Sequence, residues 1–117
     1  MPRYMQLIYA PSQSDATPEE MAAEMPRWNE YTQSLKDAGL FVAGDQLHRP
    51  DAATTVRVRE GETKLTDGPF AETKEFLAGY YLLDCPDLDT ALAQAARVPA
   101  AHYGSIEVRP LVEYDQA

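Results

Sequence analysis

Residues 4 to 9 alternate in character, with Met5, Leu7 and Tyr9 on one face and Tyr4, Gln6 and Ile8 on the other. That period predicts a strand with apolar character on both sides. A polar loop over residues 11 to 16 leads into Thr17-Pro18-Glu19-Glu20. Thr17 can cap a helix, Pro18 suits its first position, and Glu20 can complete a capping box. Met21, Met25, Trp28, Leu35 and Ala38 then recur at helical spacing, with Tyr31 and Thr32 between them, which predicts one core-facing stripe. Pro26 removes the bond to the Ala22 carbonyl and predicts a kink or two abutting helices. Gly39 ends the helix.

Residues 40 to 47 read as a second strand, loosened by Gly44, where either a bulge or the close approach of a ligand fits. Residues 54 to 59 alternate β-branched and charged side chains, an amphipathic strand. Glu60-Gly61-Glu62 turns it back into residues 63 to 66, a hairpin partner. Asp67-Gly68-Pro69-Phe70 is a turn. Residues 76 to 83 are mostly apolar and predict a buried strand. Asp87 caps a helix over 88 to 98, with Leu88, Leu92, Ala95 and Ala96 as its apolar face, and Pro99 stops it. Residues 105 to 111 form the last strand, with Ile106 and Val108 inward.

The order reduces to βαββαβ with an inserted β-hairpin. This predicts an α+β, ferredoxin-like fold: an antiparallel sheet with two helices on one face, as a single domain over residues 1–117. The first strand and the strand over 76–83 are expected in the middle, side by side and parallel. Tyr4, Ile8 and an alternating set from Phe76 to Leu83 are expected on the sheet face that the helices leave open. A second copy of the chain is the simplest cover for such a face, and pairing would create a cleft.

Charge narrows the partners. The chain has 117 residues with 10 Lys plus Arg against 19 Asp plus Glu, a formal charge of −9. Such a field repels phosphates, which argues against direct nucleic-acid binding and against anionic membranes. No apolar run approaches the roughly 18 residues that span a bilayer. The single cysteine, Cys85, excludes an intrachain disulfide and fits a cytoplasmic, bacterial-type protein. Aspartates at 84, 87 and 89 surround it and oppose a thiolate, so it reads as structural. Histidines occur only at 48 and 102, both in expected loops outside any motif. No metal-ligand spacing, glycine-rich phosphate loop or cofactor motif is present, so neither a metal nor a cofactor is expected.

Thr66-Asp67-Gly68-Pro69-Phe70-Ala71-Glu72-Thr73-Lys74-Glu75 is the most informative stretch. With Arg3-Tyr4-Met5, the run 52–57, Gly79-Tyr80-Tyr81-Leu82-Leu83-Asp84 and the run 104–110, it resembles the DGPF-motif proteins of the YCII-related family. The resemblance covers nearly the whole chain. It implies a ferredoxin-like fold that dimerises as in the dimeric α/β barrels. For the wider YCII branch it implies an enzyme using a His on the first helix with a nearby Asp. Residues 18 to 39 hold no His, so that dyad is not carried over. The resemblance also implies a link with extracytoplasmic-function sigma factors.

Asp67, Glu72, Lys74 and Glu75 form a charged group after a rigid turn. A carboxylate beside a cation suits proton transfer or elimination, with Asp67 or Glu72 as base and Lys74 facing an enolate-like charge. A capped turn with a salt-bridged surface loop accounts for the same residues. Asp45 and Arg109 join Lys74 and Glu75 as candidate ligand-binding residues. Arg109 shares a face of the last strand with Glu107, either pairing across the sheet or lining the cleft. Two functions follow: a homodimer binding a small polar organic molecule, or a non-enzymatic regulatory partner of a sigma-factor-type protein.

Overall fold

The computed structural model describes residues 2–12, 16–69 and 74–114. The strand-forming pattern at the N-terminus becomes β1 (Arg3–Pro11), and the capped helix becomes α1 (Pro18–Asp37). β2 (Phe41–Gln46), β3 (Thr54–Arg59), β4 (Glu62–Asp67), β5 (Glu75–Asp84), α2 (Leu88–Ala95) and β6 (Ser105–Pro110) follow. A short 3-10 helix, Pro99–His102, joins α2 to β6. Four strands form one sheet in the order β2-β5-β1-β6, and β3 with β4 forms a separate two-stranded sheet. The fold is α+β, and its order is the ferredoxin-like one.

The central pair is antiparallel, not parallel as expected: Tyr4 faces Leu83 and Leu7 faces Tyr80. The reason is topological. Each helical crossover brings the chain back in the same direction, so β2 runs with β1, and β6 runs with β5. β5 runs back from β2 and fits between the parallel pair β1 and β2. Every neighbouring pair in the sheet is therefore antiparallel.

The two faces of β1 are also exchanged relative to expectation. Tyr4, Gln6 and Ile8 are buried under the helices, with Tyr81 and Leu83 of β5 beside them. Met5, Leu7 and Tyr9 take the open face. The strand alternates as its sequence does, and apolar residues on both faces leave its direction open. Gln6 is fully buried. Its Nε2 has no hydrogen-bond partner among the described residues.

The caps behave as the residue types dictate. Glu20 N–H donates to Thr17 Oγ1 at 3.1 Å, and the Glu20 carboxylate accepts from Thr17 N–H. Thr90 N–H donates to Asp87 at 2.8 Å. α1 runs through Pro26 as one helix rather than two. Ala22 and Pro26 are both exposed, so water can satisfy the carbonyl that Pro26 leaves free.

The buried stripe of α1 is shorter than expected. Tyr31 and Leu35 are buried and Trp28 packs against the core, but Met21 and Met25 are exposed. The first two turns overhang the packed layer. On α2 the buried residues are Ala91 and Ala95, with Val98 after the helix, while Leu88 and Leu92 face outward. Small alanines let α2 lie close to the sheet, which turns the leucines out.

Gly44 has a packing role. A Cβ there would lie 2.5 Å from Tyr81 Cδ1. The irregularity in β2 falls earlier, between Phe41 and Ala43. The Tyr81 ring meets Tyr31 edge-on at 5.4 Å, and its hydroxyl lies 2.6 Å from Thr32 Oγ1.

Among the described residues the β3–β4 hairpin packs extensively only on itself. At its base Gly68 N–H donates to Ala53 O at 2.7 Å. Val56, Val58 and Leu65 share one of its faces and are 58–69% exposed. This arm helps raise the radius of gyration to 16.5 Å, against about 13 Å for a globule of this length.

Candidate functional site

Two places gather chemistry. The first is the open face of the four-stranded sheet. Register puts Met5, Leu82 and Arg109 in one row across it. Leu7, Tyr80, Asp45 and Glu107 make the next row. Tyr9, Leu77 and Ser105 make the third. The centre is apolar and the edges are charged. Tyr80 Oη donates to Asp45 Oδ2 at 3.3 Å on the β2 edge. Arg109 pairs with Glu107 on the β6 edge. Ser105 Oγ donates to Glu75 at 2.9 Å at one end.

The structure thus brings Asp45, Glu75 and Arg109 onto one surface, although they come from three strands. Asp67 stands apart from them. It closes β4 opposite Thr54 and is exposed. Lys74 is also exposed, and its carbonyl accepts from Ser12 N–H at 2.7 Å. Glu72 lies outside the described residues. His48 is exposed in the segment after β2.

The second place is a groove of about 290 Å³ on the helix side, between α1 and the 3-10 helix. Glu24, Arg27 and Glu30 enter it from α1, and Arg97, His102 and Tyr103 face them. Tyr103 Oη donates to Glu24 Oε2 at 3.1 Å. Burial, then the neighbouring Glu24, pushes the Tyr103 phenol up to about 12. The Arg97 guanidinium donates to Ser34 Oγ and Gln94 Oε1 at 3.1 and 2.9 Å and stacks over the Tyr31 ring. Of these residues the sequence offers His102 alone as candidate chemistry. The Glu24, Arg27, Glu30 spacing of three was the available signal, since it sets those charges along one helical face.

Cys85 is fully buried, and burial followed by Asp84 and Asp87 pushes its thiol up. It is inert packing at the strand end, as its acidic neighbours suggest.

The same strands carry the family signal. The model of the YCII-related domain matches residues 3–115. The chain belongs to the YCII-related family. An uncharacterized protein of Rhizobium meliloti (strain 1021) is 55% identical over 80 residues, covering 67% of this chain and 64% of that protein. This YCII-related chain therefore spans less than two thirds of the curated relative's length. Among the described residues of the YCII-related domain, no helix is long and apolar enough to cross a membrane.

Proposed function

We propose that this protein is a homodimer that pairs through the open sheet face and holds a small polar organic molecule in the cleft between the two sheets. The observation that carries the reading is the composition of that face. An antiparallel sheet with one solvated side normally turns polar residues outward. Here Met5, Leu7, Tyr9, Leu77, Tyr80 and Leu82 are turned outward instead. Covering them removes apolar surface from water at roughly 25 cal/mol per Å².

Asp45, Glu75 and Arg109 then rim the cleft and bind the polar groups of the ligand. Asp67 and Glu72 are the proposed bases for proton transfer or elimination, with Lys74 meeting the negative charge that develops.

Light scattering tests the pairing. A dimer is expected, and Leu82→Glu should give a folded monomer; a monomeric wild type sinks the reading. A thermal-shift screen of polar metabolites tests the cleft. Stabilisation by a ligand that Arg109→Gln and Asp67→Asn both leave intact would remove those residues from it.

The alternative is a regulatory partner of the sigma-factor type. The hairpin carries three cations and three carboxylates, so the −9 charge lies wholly in the rest of the chain. That acidic body suits a basic protein partner. Pull-down with the product of an adjoining sigma-factor gene, at low and high salt, tests it; no capture at either salt counts against it.

A further inference from the structure

The groove between α1 and the 3-10 helix holds charges that do not neutralise one another. Glu24, Arg27 and Glu30 are spaced three apart on one helix, a spacing at which opposite charges usually close into ion pairs. Among the described residues the ion pairs are Arg3 with Asp84 and Arg109 with Glu107, neither of them here. One of these charges has a different partner. Glu24 is turned toward the Tyr103 hydroxyl, a neutral donor.

Arg97 is oriented by two neutral acceptors and by the Tyr31 ring. Those contacts use two of its five N–H groups and fix the plane of the guanidinium. The others are left for a ligand. The side chains of Arg27 and Glu30 make no hydrogen bond or ion pair among the described residues.

Two guanidinium groups and two carboxylates around one concavity sum to zero charge. A dianion would meet the carboxylates, and a simple cation would meet the arginines. A molecule bearing one charge of each sign complements both. The volume, about 290 Å³, is at the low end for ligand sites and admits one small molecule.

We propose that this groove binds a small zwitterion of the α-amino-acid class. Its carboxylate lies between Arg97 and Arg27, where the planar guanidinium matches it. Its ammonium lies toward Glu24 and Glu30. His102 and Tyr103 close the rim. The site is on the helix side, so it shares no residue with the cleft proposed above and does not depend on pairing.

Calorimetric titration of the whole protein with each standard protein L-α-amino acid tests this. At least one should bind. Its decarboxylated amine and its deaminated acid should each bind at least about tenfold more weakly, since each loses a charged hydrogen-bonded contact. Arg97→Gln and Glu24→Gln should each weaken it by a similar factor, while Arg59→Gln, at the hairpin tip, should not change it. Glu24 sits on the helix surface, so its variant keeps the test valid if Arg97→Gln loses the fold. The proposal is overturned if no amino acid binds, if either truncated analogue binds as tightly as its parent, or if Glu24→Gln leaves the affinity unchanged.

Discussion

The Tyr31 hydroxyl donates to the Gln94 carbonyl at 2.9 Å and so ties α1 to the end of α2. The same oxygen lies 3.3 Å from Gln6 Oε1. A phenol has one proton, and the shorter contact takes it. Turned by half a revolution, the Gln6 amide would direct its Nε2–H at Tyr31 Oη, and its Oε1 would take the position that has no partner. Tyr31→Phe should destabilise the fold by about 1–2 kcal/mol in urea unfolding at pH 7, because it strips partners from two buried groups.

Tyr31 also predicts how stability varies in base. Burial, its largest cause, pushes the phenol up to about 12 from 10. The folded chain therefore holds that proton more tightly than the unfolded chain. The stabilisation is fully present below pH 10 and is lost as pH rises from 10 to 12. Tyr103 and Tyr81 are shifted in the same direction and add to the loss. Urea midpoints measured from pH 8 to 12 should fall steeply above 10, and less steeply in Tyr31→Phe. An equal slope in the two proteins would remove Tyr31 from the explanation.

Gly104 rests on the backbone of β1, where a Cβ would collide with the Tyr9 carbonyl. The obstacle is backbone in a paired strand, so it cannot rotate away. Gly104→Ala should cost about 1–3 kcal/mol, read as a lower urea midpoint. Gly39 has open space around it but a φ of +74°, so alanine there is strained by conformation rather than by contact.

Excising the hairpin should leave the four-stranded sheet folded. Replacing residues 55–66 with a short Gly-Ser linker should preserve the near-ultraviolet signal of the buried tyrosines, since no other element among the described residues packs extensively on the arm. Loss of that signal would show that the arm supports the core.

The order of elements was legible because each had a local signature. The Thr17 and Asp87 caps, the period of two in β3 and the apolar run of β5 each state their own type. Orientation was not local. β1 carries apolar residues on both sides, and its buried face is the one holding Gln6, which only the Tyr31 hydroxyl makes tolerable. The methionines of α1 fit the helical period, yet the layer beneath them ends before they reach it. The open-face residues Asp45, Glu75 and Arg109 come from three separate stretches of sequence, and register brings them together. The groove could not be read from the chain, since its two walls are some seventy residues apart.

The edges of the sheet have a bearing on growth. β2 is short and irregular between Phe41 and Ala43, and β6 ends at Pro110, which has no N–H to offer. Neither edge presents a long regular ladder to another strand. Two copies meeting through the open faces would use up the apolar surface on both sides at once. Association by that route closes at two, and the blunted edges discourage the end-to-end stacking that would turn a pair into a filament.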